Sequence, residues 1–422
     1  MSQGQTVSRF QRRKGSGHPP RLIVATDVRL LHRDGEWWST HPSLSVQTLD
    51  RYLALGVPVV LVARQADPSA HASHLLSHQS LQVSEVGLDS KMSGPVSRAL
   101  TMVRLVWTLP VRRGDMVVLR VPEVVSFFVG YLSLARGAAM VSNVVAEPEA
   151  ISANLPRAFG ATGWAYRTAT RLLVKRSKGS IYVTEKALQH DLPPGPDTPW
   201  ISASNVRLEE SDFIEGPKVF GPWDELSPMR VATIGSMETP SKGYDVLIEA
   251  LAHLRAQGYA VRLDLIGDGL LRRELEDLAT RLGVSDNLRF HGQVDDRRTL
   301  FGILDECHIL AMPSRTEGLP RAMIEAMSRQ LCVIGSRVGG IVELASDECL
   351  FKSEDAIGLA DCLANLYNRP DHARTLALRG QGHARNIVAN AQSSRVTAFL
   401  ERILDARPSP AAALERPHDL PG

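Results

Sequence analysis

The chain has 422 residues, more than one ordinary hydrophobic core holds, which implies two domains. It is 44% hydrophobic and 22% charged, with a formal net charge of +2, so its bulk charge gives no reason to expect a nucleic-acid partner. Four cysteines (Cys307, Cys332, Cys349 and Cys362) form no CxxC pair and read as free thiols of a reducing compartment rather than metal ligands.

The first stretch, MSQGQTVSRFQRRKGSGHPP, is polar and basic and lacks an apolar h-region. Residues 1–19 are therefore expected to be disordered and not a signal peptide. RLIVAT (Arg21–Thr26) and VPVVLVA (Val57–Ala63) read as buried parallel strands, with the helical pattern LSVQTLDRYLALG between them. DMVVLRV (Asp115–Val121), AAMVSNVV (Ala138–Val145) and GSIYVT (Gly179–Thr184) continue the series. The run VVSFFVGYLSLARGAAMVSNVVA is broken by Arg136 and has a glutamate at each end, so it reads as buried helix and strand, not a membrane span. FIEGPKVFGPWDELSP is rich in Pro and Gly and reads as a linker.

The rhythm restarts with MRVATIG (Met229–Gly235), VRLDLIG (Val261–Gly267), LRFHG (Leu288–Gly292), CHILAMP (Cys307–Pro313) and LCVIGS (Leu331–Ser336). The expected organisation is an N-terminal Rossmann-like domain over 20–215 and a second over 226–389. A helix over Asn390–Ala406 and a loose tail over 407–422 complete the chain. Two such domains make a cleft between the carboxyl edges of their sheets, where ligands bind in open α/β folds.

The strand ends of the second half carry the chemistry. Lys242 precedes a helix whose amphipathic run is Val246, Leu247, Ala250, Leu251 and Leu254. A lysine opposes the dipole at a helix start, unless an anion sits there and the lysine completes its shell. Gly267-Asp268-Gly269 lets backbone pass close to a ligand. In TEGLPRAMIEAM (Thr316–Met327), Pro320 suits the first turn of a helix over Leu319–Gln330. The N–H groups of Gly318 and Leu319 then form an anion site, Glu317 stands beside it, and Glu325 lies inside the helix with two acceptor oxygens for adjacent ribose hydroxyls. A capping carboxylate plus a solvated helix glutamate is the alternative from spacing alone. Gly339-Gly340 opens a further helix.

Lys242-Gly243, IGDG, PSRTEGLPRAMIEAM and GSRVGGIVEL together resemble the donor-binding half of glycosyltransferase family 4, retaining enzymes of the GT-B fold. The resemblance spans roughly Arg230 to Ala345. It implies two Rossmann-like domains facing across a cleft and transfer of a sugar from a nucleotide-diphosphate donor. Glu317 and its neighbouring amides would hold sugar and diphosphate, Glu325 the ribose and Lys242 the phosphates. Gly235, Ser236, Gly267, Gly269 and Val294 join them on the donor side, with Glu317 and Lys242 as the catalytic pair. Ser236 stands where the family often has a phosphate-binding arginine. The final helix would cross back to the N-terminal domain.

On the acceptor side, RDGEWWSTHPS offers Asp34 and Gly35, and VVAEPEA offers Glu147 in place of the family's frequent histidine. There is no Asp-x-Asp, so no metal or other cofactor is expected. WAYRTATRLLVKRSKGS places Arg167, Arg171, Lys175 and Lys178 on one helical face, a candidate contact for an anionic membrane surface or a glycan or lipid-linked acceptor. The expected location is cytoplasmic, peripheral at the inner face of the membrane. Two rival readings are a GT-B-fold nucleotide-sugar epimerase and a non-catalytic binding subunit.

Overall fold

The computed structural model describes residues 21–41, 44–68, 72, 74–86, 109–148 and 160–405. The segments 1–19 and 407–422, expected to be disordered, lie outside the described residues. The chain divides into two compact units, one of residues 1–182, 192–203 and 392–422, the other of 183–191 and 204–391.

The central strands of unit 1 are apolar almost without interruption, as in MVVLRV and VVLVA, the pattern of a parallel sheet covered on both faces. Among the described residues its elements are β1 (Leu22–Arg33), β2 (Glu36–Ser39), α1 (Val46–Leu53), β3 (Val59–Gln65), β4 (His74–Leu75), β5 (Leu81–Val86), β6 (Met116–Val121), α2 (Val124–Arg136), β7 (Ala139–Val144), α3 (Gly160–Arg176), β8 (Gly179–Tyr182) and β9 (Trp200–Ser202). The parallel strands run β5-β3-β1-β6-β7-β8-β9. β1 pairs with β3 on one side and β6 on the other, so the order reverses at the β1/β6 boundary. Its register with β3 shifts between Ala25 and Arg29, and its far end folds back antiparallel onto β2.

Unit 2 holds α4 (Ala187–Asp191), β10 (Met229–Ile234), α5 (Tyr244–Ala256), β11 (Val261–Ile266), α6 (Arg272–Arg281), β12 (Leu288–Gly292), α7 (Arg297–Asp305), β13 (Ile309–Met312), α8 (Arg321–Ser328), β14 (Cys332–Ser336), α9 (Ile341–Leu344), β15 (Leu350–Phe351), α10 (Ala356–Asn368) and α11 (Pro370–Asn390). Its sheet is parallel in the order β12-β11-β10-β13-β14-β15, a doubly wound arrangement that reverses between β10 and β13. One charge is buried in this sheet. Asp264 of β11 is 2% exposed and takes Arg230 Nε and Nη2 at 3.0 and 2.8 Å and His291 Nε2 at 2.8 Å. Burial pushes its carboxyl upward, but the bonds from Arg230 and His291 outweigh it and hold it below the usual range.

The structure corrects the expected linker. Phe213, Phe220 and Trp223 are buried in the core of unit 2. Lys218 Nζ donates to the carbonyls of Leu304 and Cys307 at 2.9 and 2.6 Å, satisfying groups at the end of α7. Three aromatic rings with apolar contacts outweigh the absence of a periodic pattern, and the division falls between Ala203 and Ser204. After α11 the chain returns to unit 1 as α12 (Ser393–Asp405), where Val396, Phe399 and Leu400 join the core and Thr397 Oγ1 donates to the Arg51 carbonyl at 3.0 Å.

Candidate active site

The site assembles at the carboxyl edge of the unit 2 sheet. After β10 the chain makes a short 3-10 turn, Pro240–Lys242, and enters α5 through Gly243 at φ 65°. A Cβ on Gly243 would stand 2.0 Å from the Pro313 carbonyl oxygen, so glycine alone lets the Lys242 turn close onto the end of β13. Tyr244 Oη donates toward the carbonyls of Gly235 and Ile266, 2.8 and 2.9 Å away, and ties the ends of β10 and β11 together. Gly267 was expected to let backbone approach a ligand. Its neighbour is instead other backbone, since an added Cβ would lie 1.8 Å from the Gly235 carbonyl oxygen. Gly269 likewise abuts the backbone of Met237 and Glu238. Ser236 is exposed, and its hydroxyl accepts from Glu238 N–H at 3.2 Å. Val294 packs half-buried against the unit 2 core.

Lys242 meets Glu317 here. Its ammonium donates to Glu317 Oε1, which also accepts from Ser314 Oγ at 2.8 Å. The Glu317 side chain is only 9% exposed, so this ion pair sits in a poorly hydrated place. Arg315, which the sequence reading passed over, fastens the loop. Its guanidinium grips Asp245 at 3.1 and 2.8 Å and Glu354 at 3.0 Å, and its N–H donates to the Ser241 carbonyl at 2.8 Å. Lys242 and Glu317 are thus held by a brace that joins two strand ends.

Helix α8 begins at Arg321, not Leu319, because Pro320 serves as the capping residue with extended backbone. Among the described residues, no protein group accepts from the N–H of Gly318 or Leu319. The Thr316 hydroxyl beside them is buried without a partner. Open donors at the start of an eight-residue helix, with Lys242 facing the same loop, make an anion site. Glu325 lies one turn inside α8. Burial pushes its carboxyl above the usual range, Arg321 and Arg297 pull it back, Asp212 adds to the rise, and no hydrogen bond reaches it among the described residues. A desolvated acceptor without a donor suits a ligand that brings hydroxyls. Gly340 N–H donates to the Gly318 carbonyl, which packs the Gly339-Gly340 turn onto this loop.

Residues 228–369 match the model of the family described as glycosyl transferases group 1. The chain is 27% identical over 264 residues to Protein CapJ of Staphylococcus aureus, covering 60% of this chain and 62% of that protein. It is 29% identical over 170 residues to the lipopolysaccharide core biosynthesis glycosyltransferase LpsE of Rhizobium meliloti, covering 40% of this chain and 47% of the other. It therefore spans less than two thirds of the length of either relative. The crystal structure of Anabaena Alr3699/HepE in complex with UDP and glucose superimposes with a TM-score of 0.61 at 16% identity, over 92% of this chain and 99% of that one. The fold is GT-B, with two Rossmann-like units.

Unit 1 places the residues expected on the acceptor side as follows. Asp34 and Gly35 have φ of 53° and 81° and form the two-residue turn joining β1 to β2, with Arg33 opposite Glu36. Asp-Gly is a favoured pair for such a turn, so these residues have a local structural reason. Glu147 follows β7 half-buried. The carboxylates at the β1/β6 reversal are Asp27 and Glu123, which sequence reading missed. The basic face also changes. Arg167 and Arg171 are half-buried on α3, and Lys178 lies beyond its end at Arg176. The exposed positions of α3 include Trp164 at 74%, Leu172 at 42%, Lys175 and Arg176.

Proposed function

We propose that the protein transfers a sugar from a nucleotide-diphosphate-sugar donor to a glycan or lipid-linked acceptor, with retention at the anomeric carbon and without a metal. The carrying observation is the set of open N–H groups at Gly318 and Leu319 beside Lys242, with the unbonded Glu325 one turn further on. The diphosphate would lie at the start of α8, its negative charge growing as the sugar leaves, and Lys242 with the helix start would stabilise that charge. Glu325 would accept from the ribose and Glu317 from the sugar. Among the described residues no side chain at this edge is placed as a nucleophile, which favours departure and attack on the same face, the leaving phosphate taking the acceptor proton. The names of LpsE and of a further relative, the putative colanic acid biosynthesis glycosyltransferase WcaL of Salmonella typhimurium, support a role in cell-surface polysaccharide synthesis.

Donor hydrolysis should be measurable, should increase with a suitable acceptor, and should persist in EDTA. Loss in EDTA with recovery on manganese or magnesium would refute metal independence. Scrambling of the donor sugar with no acceptor dependence would favour an epimerase.

A peripheral membrane contact is part of the proposal, on revised residues. Trp164 and Leu172 with Lys175, Arg176 and Lys178 combine exposed apolar and cationic groups on and after α3. Among the described residues no helix is long and apolar enough to cross a membrane. Flotation with anionic liposomes is expected to recover the protein, less so at high salt, and Trp164→Ser should reduce recovery. Equal recovery with neutral liposomes would count against the contact.

A further inference from the structure

In doubly wound sheets the crevice at the reversal of strand order receives the ligand, and in unit 1 that place is the carboxyl end of β1 and β6. Helix α2 starts there, and its first N–H groups would suit a phosphate. They are already taken. Asp27 Oδ2 accepts from Val124 N–H at 2.9 Å and Oδ1 from Val125 N–H at 2.8 Å. Glu123 Oε2 accepts in turn from Asp27 N–H at 2.6 Å, and its other oxygen faces Arg120 at 2.8 Å. Burial pushes the Glu123 carboxyl up to about 7, against Arg120, with the Asp27 charge adding to the rise.

A second observation comes from α3. Thr170, 2% exposed, and Tyr166 one turn before it carry buried hydroxyls that approach each other outside good hydrogen-bond geometry and have no other partner among the described residues. The Tyr166 ring stacks on Phe127 of α2 at 5.2 Å, and its phenol lies within the field of both Asp27 and Glu123. Open lone pairs on two carboxylates beside a loosely paired set of hydroxyls complement a group that both donates and accepts, as a sugar hydroxyl does.

We propose that Asp27 is a specificity-determining residue for the acceptor. It fills the anion position of the unit 1 crevice, so the crevice takes the uncharged hydroxyls of a sugar or polyol and rejects a phosphate. The acceptor part of this statement rests on the glycosyl-transfer reading above.

Equilibrium dialysis with radiolabelled inorganic phosphate tests it without turnover. In a Lys242→Ala background, which weakens the sugar-donor site, only that site's residual phosphate binding should be seen at millimolar concentration. Adding Asp27→Gly should create one phosphate site. Asp27→Asn, nearly isosteric, should create a weaker one and covers the case in which the glycine variant fails to fold. If both variants are folded by circular dichroism and bind no more phosphate than the background, the proposal is overturned. Phosphate binding to the Lys242→Ala protein that is lost on changing Asp27 would also overturn it. In turnover, Asp27→Asn should raise kcat/KM for a sugar phosphate relative to the neutral sugar by at least about tenfold, the scale of one charge-assisted contact. Phosphate gain without transfer to any acceptor would remove the glycosyl-transfer reading while leaving Asp27 as the group that bars anions.

Discussion

Glu325→Gln is expected to weaken nucleoside diphosphate binding at least about tenfold while raising the melting temperature. Both effects come from one fact, a carboxylate held half-buried on α8 with no hydrogen-bond donor reaching it among the described residues. Burial raises its folded pKa above the unfolded value. A carboxyl shifted in that direction contributes stability below the unfolded pKa and loses it as pH rises through the folded one. At neutral pH the charge therefore weakens the fold, and a neutral amide removes that cost. Ribose hydroxyls would supply the missing donors, so the ligand gains what the empty site lacks. The same shift fixes the pH dependence. Affinity of the wild type should begin to fall on acidification above the ordinary glutamate range, and that of the Gln variant should stay flat. Calorimetry and thermal melts read the two effects separately. Wild-type affinity in the variant would exclude the ribose role, and a lower melting temperature would show that Glu325 supports the fold.

Most central strands of both units were legible because they are apolar runs closed by a turn signal, as in LIVA of β1 and VVLVA of β3, whereas β4, β5, β9 and β15 were not read. What escaped was structure fixed by pairing rather than by composition. β2 is four residues, EWWS, and acquires its strand character from β1. The Asp34-Gly35 turn that creates it was visible in the sequence as a hairpin signal but was read as an acceptor loop. The stretch 213–223 failed in the opposite way, because Pro and Gly masked three rings that seal the unit 2 core.

The site divides along the same line. Lys242, Glu317 and Glu325 each lie in one uninterrupted strand–loop–helix segment, so local order announced them. Arg315 grips Asp245 across 70 residues of sequence, and Glu123 reaches Asp27 across 96. Nothing local marks such partners, and only the strand order brings them together. The flanking glutamates of the VVSFFVGYLSLARGAAMVSNVVA run show the limit well. Both stand at strand ends, but topology selects Glu123, because β6 borders the reversal and β7 does not.

Lys242→Ala and Glu317→Gln are expected to lower turnover by roughly a hundredfold or more each, yet to move nucleotide affinity in opposite directions. In the structure the two side chains are bonded to each other. A diphosphate arriving at α8 must compete with Glu317 for the Lys242 ammonium. Removing Lys242 deletes a cation from the phosphate site and leaves a 9% exposed carboxylate with Ser314 Oγ as its remaining hydrogen-bond partner, so diphosphate binding should weaken along with turnover. Neutralising Glu317 frees the ammonium. Free nucleoside diphosphate should then bind as tightly as to the wild type or more tightly, while sugar transfer falls because the contact to the sugar that strengthens in the transition state is gone. The double variant should bind nucleotide as weakly as Lys242→Ala alone, since the gain from Glu317→Gln needs the lysine. Calorimetry with nucleoside diphosphate and steady-state donor turnover on all four proteins complete the cycle. Weakened nucleotide binding in Glu317→Gln would mean that Glu317 positions Lys242 for the phosphates instead of competing for it. Normal turnover in that variant would reduce Glu317 to a carboxylate that merely holds the loop before α8.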